Sequence, residues 1–99
     1  MLMGRVLGTV VASQKDVGLK GMKLHVVQQT DAYGQPQGSY VVAVDSVGAG
    51  VGELVLFASG SSARQTETTR DRPVDAVIMA VVDEVEMQGK TTFSKSSEA

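Results

Sequence analysis

Apolar residues in this chain fall in short runs with a period of two, and no stretch shows the 3.6-residue repeat of an amphipathic helix. From Met3 to Ser13 one alternating set is Gly4, Val6, Gly8, Val10 and Ala12. Such small and β-branched residues, with glycine where a strand bends or lies close to another backbone, predict a tightly curled strand. The stretches 22–30, 40–47, 53–59 and 75–87 read as four more strands. Between them QKDVGLKG and DAYGQPQGS carry the glycines and proline that mark turns. The polar segment 60–72 has room for one short helical turn before Pro73, and the Ser, Thr and Lys residues after Gln88 predict a loose tail over 88–99. Five strands and one brief helical interlude predict an all-β chain, a small curled sheet or barrel.

The strands carry a second message. Val77, Met79 and Val81 alternate on one face of the last strand while Ile78, Ala80 and Val82 take the other, and 40–44 is likewise apolar on both faces. A one-layer antiparallel sheet leaves one face to water, so a doubly apolar strand needs a second cover. A chain of 99 residues forms one domain that buries only about two thirds of the surface of its unfolded form. Another subunit is the favoured cover, with the barrel ends and the helical turn as the internal alternative.

Composition removes whole classes of function. There is no cysteine and a single histidine, so thiolate metal sites, disulfides and a cysteine nucleophile are absent, and His25 cannot build the usual zinc site. His25 lies between Leu24 and Val26 in a strand and reads as a structural or surface residue rather than a ligand or a base. The net charge is −2, with Arg5, Lys15, Lys20 and Lys23 against Asp16 in the first 30 residues. That basic third reads as solvated surface, and the total is too weak for non-specific binding to phosphate backbones. No apolar run approaches the ~20 residues of a membrane span, and the start lacks the pattern of a signal peptide, so a cytoplasmic protein away from membranes is expected. Asp83, Glu84 and Glu86 alternate across a strand end and resemble a charged, pairing-resistant edge rather than a carboxylate dyad.

The segment from Asp45 to Arg64, DSVGAGVGELVLFASGSSAR, is the densest in punctuation. Gly48, Gly50 and Gly52 invite a dinucleotide-binding reading, but Glu53 stands where that fingerprint needs a third small residue, and a strand rather than a helix follows. Gly89-Lys90-Thr91 resembles the end of a phosphate loop, yet the motif's first glycine is replaced by Glu84. The corner Gly60-Ser61-Ser62-Ala63-Arg64 fits two descriptions. Its N–H groups, hydroxyls and guanidinium suit an anion. Equally, a serine can cap a short turn while Arg64 bridges to a neighbour. No catalytic, cofactor-binding or metal constellation emerges.

Taken in order, these residues resemble a known family. Gly4-x-Val6-x-Gly8-x-Val10-Val11 is followed by Lys15, Leu19, Gly21, Lys23 and Leu24, then by Asp45-x-Val47-Gly48-Ala49-Gly50-x-Gly52-Glu53, Gly60-Ser61-Ser62-Ala63-Arg64 and Pro73-Val74-Asp75-Ala76. The pattern is similar to that of the EutN/CcmL family of bacterial microcompartment shell proteins and covers residues 1–87, leaving 88–99 as a tail. The resemblance implies a five-stranded barrel of oligonucleotide-binding (OB) type that assembles as a cyclic homopentamer. It implies a structural, non-enzymatic role at the vertices of a microcompartment shell, beside hexameric shell proteins, with no cofactor and no nucleic acid. It places Gly48, Gly50, Gly52, Gly60, Ser61, Ser62 and Arg64 at subunit contacts or around a central opening. Combined with the two-faced last strand, it makes Ile78, Ala80 and Val82 the outward, interface-forming set. The competing reading is a barrel that binds an oligonucleotide or oligosaccharide, which would need stacking aromatics along a basic groove.

Overall fold

A computed structural model describes residues 1–97. Its strands are β1 (Leu2–Val10), β2 (Leu24–Thr30), β3 (Pro36–Asp45), β4 (Leu54–Ser59), β5 (Ala76–Val81), β6 (Glu84–Met87) and β7 (Lys90–Ser94). The first five close into a barrel in the order β1-β2-β3-β5-β4. All neighbours are antiparallel except β3 and β5, which meet in parallel over only two pairs, Val44 with Val77 and Asp45 with Ile78. The helical content is confined to short 3-10 turns, one of them at Gly60–Arg64, where the sequence left room for it.

Alternation builds the core. Val6, Val27, Ala43, Val55, Phe57 and Ile78 point into the barrel and pack as one buried cluster. Gly4 makes room for it: a Cβ there would lie 2.5 Å from Val27 Cγ1 and 2.9 Å from the Phe57 ring. The Gln28 carbonyl oxygen, 3.0 Å from the same point, adds the close backbone approach expected of a strand glycine. A second cluster, Val44, Ala58, Ala63, Val74 and Val77, lies outside the barrel wall beneath the 60–74 segment. The apolar outer face at the start of β5 is thus covered from within the chain, the internal alternative.

Two expectations need correction. Ile78 is not outward: it is fully buried in the barrel, opposite Phe57. Leu56 pairs with Ala80 and Phe57 with Ile78, so Met79 is an extra, bulged residue between them. A bulge inserts one residue into the alternation and reverses the faces beyond it. Ile78 and Val81 accordingly face the core, while Met79 and Ala80 face out.

The expected strand over 75–87 is also two strands, and the loose tail is not loose up to residue 97. β5 ends at Val81, and β6 turns through Gln88 and Gly89, both at positive φ, to pair with β7. That two-residue turn is the tight hairpin connection whose twist suits paired strands. A lone two-stranded ribbon is marginal in water, so packing must hold it. Phe93 is buried, with the Arg5 guanidinium 5.8 Å above its ring. Thr92 Oγ1 donates to the Ala32 carbonyl at 2.6 Å, and the Lys95 N–H donates to Asp83 at 2.8 Å. Apolar and polar residues alternate too weakly in KTTFS for the strand to be visible in sequence. The final two positions of the expected tail lie outside the described residues. Among the described residues no helix is long and apolar enough to cross a membrane.

Candidate functional site

The Asp45–Arg64 segment is two loops. β4 runs between them, so the glycine tract and the 60–64 turn sit at opposite ends of a six-residue strand, about 20 Å apart. Gly48, Gly50 and Gly52 are exposed at one end, and Gly60, Ser61, Ser62 and Arg64 are exposed at the other.

Two carboxylates organise the glycine tract. Asp45 Oδ1 accepts the N–H groups of Val47 at 3.0 Å and Gly48 at 2.9 Å. Glu53 Oε1 accepts the Gly50 N–H at 2.6 Å, and its Oε2 accepts Lys95 Nζ at 2.6 Å. Gly48 and Gly52 stand at φ +77° and +93°, a region that penalises any Cβ. The tract is tied back to β1, since Gly52 donates to the Val6 carbonyl and Val6 to the Glu53 carbonyl. The N–H groups of Val47, Gly48 and Gly50 are therefore engaged by the chain's own acids, and that of Gly52 by a β1 carbonyl.

Asp45 also reaches the only histidine. His25 Nε2 lies 3.0 Å from Asp45 Oδ2, with both side chains almost completely buried. A carboxylate only accepts, so Nε2 carries the proton and donates, and the buried Nδ1 makes no hydrogen bond. Burial works against charge on Asp45, but the N–H groups of Val47 and Ala49, the His25 ring and the Gly48 N–H outweigh it and hold the carboxyl below its usual 3.8. The Lys95 ammonium and the Gly50 N–H likewise depress Glu53, and Glu53 in turn raises Lys95. Of the two readings of His25, structural or surface, its burial supports the structural one. Its partner, twenty residues away, left no local signal in the sequence.

The other end of β4 is wired in the opposite sense. Ser62 Oγ donates to the Ser59 carbonyl at 2.7 Å, so it closes the turn by donating rather than by capping an N–H. Arg64 donates to the Val74 carbonyl at 3.2 Å, and Arg72 to the Gly18 carbonyl at 2.8 Å. Thr69, fully buried, donates to the Ala63 carbonyl at 2.5 Å and sits 2.7 Å from Thr66 Oγ1. Hydroxyls and guanidiniums here satisfy loop carbonyls and clamp the segment over the Val77 cluster. Gly60 takes φ +68° to begin the turn and donates to the Asp75 carbonyl.

Of the expected outward set on the last strand, Ala80 is outward and partly buried, Val82 is partly buried and donates to the Leu54 carbonyl at 2.8 Å, and Ile78 is in the core. Met79, 37% exposed, takes the outward place that simple alternation gave to Ile78. Met3 and Leu56 share the outer face with Ala80, and the sequence pattern did not single them out because their outwardness follows from register. Two of the four aromatic rings, Phe57 and Phe93, are buried, leaving Tyr33 and Tyr40 exposed. That is too few for a base-stacking platform. Among the described residues no group of histidines and acids is arranged to hold a metal.

Comparison with known proteins agrees with this architecture. Residues 1–83 match the family model described as ethanolamine utilisation protein EutN/carboxysome. The chain is 46% identical over 98 residues to the carboxysome shell vertex protein CcmL of Gloeobacter violaceus, covering 99% of this chain and 98% of that protein. The solved structure of that CcmL superposes with a TM-score of 0.92, covering 98% of this chain and all of the other. This chain is also 45% identical over 95 residues to the bacterial microcompartment shell vertex protein EutN of Salmonella typhimurium, covering 96% of each. The GrpN pentameric microcompartment shell protein from Rhodospirillum rubrum superposes with a TM-score of 0.79 at 45% identity, covering 88% of this chain and all of that one. The likeness to the Gloeobacter protein runs through the β6–β7 hairpin, beyond the 1–87 span marked by the motifs. The chain belongs to the EutN/CcmL family of microcompartment shell vertex proteins, whose work is structural rather than catalytic.

Proposed function

We propose that this chain forms a homopentamer that closes the vertices of a bacterial microcompartment shell, next to hexameric shell proteins that tile its facets. The observation that carries the reading is the closed barrel itself, which superposes over most of its length on a solved pentameric shell protein of near-half identity. Sixfold tiles alone make flat sheets, and a closed polyhedron needs fivefold positions. A cyclic ring is built from heterologous contacts, one patch meeting a different patch on the next subunit. Two rigid, exposed loops at opposite ends of β4 suit such a ring. The glycine tract, with Gly48, Gly50 and Gly52, serves close subunit approach, and the Gly60-Ser61-Ser62-Ala63-Arg64 turn stands at a contact or at the central opening. Internal bracing of both loops supports a shape-defining role and leaves no group poised for turnover.

Native mass spectrometry of the purified protein tests the reading. A fivefold species is expected, and a stable monomer overturns it. Co-expression with a hexameric shell protein tests the second half: closed particles are expected with this chain present and open sheets or tubes without it. Closure that does not depend on this chain removes the vertex role.

A further inference from the structure

The outside of the barrel carries two apolar faces that the described residues leave partly open. The first crosses β1, β4 and β5. Register places Met3 beside Leu56 and Leu56 beside Ala80, in a row whose inward neighbours Gly4, Val55 and Phe57 belong to the core. All three outward residues are only partly buried, and the bulged Met79 adds a flexible, 37% exposed side chain to the row. The second face lies on β2 and β3. Val26 stands beside Val42, which is 46% exposed. Val42, with Leu24, Leu19 and Pro73, walls a groove of about 150 Å3.

The positions of the two faces decide what can cover them. Around the closed circuit β1-β2-β3-β5-β4, the first face centres on β4 and the second on β2 and β3, with the run into β5 at residues 73–76 as its far wall. They centre on different strands of the closed barrel, and the second is a groove while only Met79 stands substantially exposed on the first. An isologous pair would cover only one kind of face and leave the other wet. A ring in which the row of each subunit enters the groove of the next covers both on every subunit.

We propose that the Met3–Leu56–Ala80 row, with Met79 at its edge, packs into the Val42 groove of a second copy of this chain, and that this joint repeated builds the ring. The inference rests on the pentameric reading above and adds which surfaces meet. It also moves the interface of β5 from the buried Ile78 to its outward neighbours Met79 and Ala80.

The experiment uses Met79→Glu and Val42→Glu, alone and mixed, read by native mass spectrometry beside the wild type. Both side chains are substantially exposed in the single chain, so the barrel is expected to survive, as far-UV circular dichroism and a thermal melt will report. Where glutamate costs the fold, Met79→Gln and Val42→Thr replace it, with ring dissociation at higher protein concentration than the wild type as the readout. Each variant alone is expected to lose the fivefold species. Mixed, the two retain one intact face each and are expected to form heterodimers with a single joint and nothing larger. Met87→Glu, on the β6–β7 hairpin and 43% exposed, is expected to keep the ring. Persistence of the ring in either face variant overturns the assignment, as does a mixture that yields only monomers or ring loss in Met87→Glu. A monomeric wild type overturns instead the pentameric reading on which the assignment stands.

Discussion

The two loops that flank β4 are both dense in small or polar residues, three glycines in the 45–53 tract and serines and threonines in the 60–74 segment, and most of the side-chain bonds that hold them run in opposite senses. In the 45–53 tract, backbone N–H groups point at carboxylates: Asp45 serves Val47 and Gly48, and Glu53 serves Gly50. In the 60–74 segment, backbone carbonyls receive side-chain donors: Ser62, Arg64 and Thr69 within the segment, and Arg72 across to Gly18. A loop that converges its N–H groups needs an acceptor and becomes sensitive to the protonation of that acceptor. A loop that converges its carbonyls needs donors that stay protonated at any ordinary pH. Whether carboxylates or hydroxyls and guanidiniums hold a loop therefore decides how it will answer to acid.

The difference is broken most severely at Asp45. Asp45→Ala removes the partner of a buried imidazole and uncovers the N–H groups of Val47, Gly48 and Ala49 together, and about 3–5 kcal/mol of stability is expected to go with it. Urea unfolding at fixed protein concentration measures the loss. The same residue gives the acid response. Its carboxyl is held below the usual 3.8, so its contribution is complete above that value and is lost as pH falls through the lower folded value. The stability gap between wild type and Asp45→Asn is therefore expected to be widest near neutrality and to narrow below about pH 4. A gap that is flat with pH would show that the carboxylate's charge does not hold the tract.

The matching test in the other loop is Thr69→Val, which keeps the side-chain shape and deletes the donor to the Ala63 carbonyl. Leaving a buried carbonyl without its donor is expected to cost about 2 kcal/mol, with no dependence on pH across the range that moves Asp45. Gly48→Ala comes next. An added Cβ meets nothing within 4 Å, so only the φ of +77° opposes it, and about 1 kcal/mol is expected in the same unfolding assay. A loss well above that, confined to the assembled protein, would mark the tract as lying against a neighbouring subunit.

How much of this was legible beforehand divides along physical lines. Patterns local in sequence survived: the period-two runs became the barrel strands, Gly4 proved to be a close-approach glycine, and the 60–72 stretch held one short turn. Glu53, read in sequence as the residue out of place in a dinucleotide fingerprint, accepts the Gly50 N–H of its own tract. Features fixed by register between distant strands were not legible. The bulge at Met79 exists only relative to Leu56 and Phe57 across the ladder, and without it alternation assigns Ile78 to the wrong face. The β7 strand has a weak intrinsic pattern and is held by contacts to Arg5 and Ala32, both far away in sequence. The His25–Asp45 pair likewise spans two strands.

The smallest expected effect sharpens the comparison where the ring reading touches it. Arg64 is exposed and donates one long hydrogen bond to the Val74 carbonyl, while Thr69 and Arg72 already clamp the same segment. For an isolated chain, Arg64→Ala is expected to cost only about 0.5 kcal/mol, the low end for a solvent-accessible hydrogen bond. If the turn stands at a subunit contact, the same substitution weakens the ring by far more than it weakens the barrel. Comparing subunit unfolding with ring dissociation, each followed against protein concentration, separates the two. Equal, small losses in both would confine Arg64 to its own loop. A loss of the fivefold species with an unchanged barrel would place its guanidinium between subunits, where its planar fork of donors suits the carbonyls or carboxylates of a neighbour.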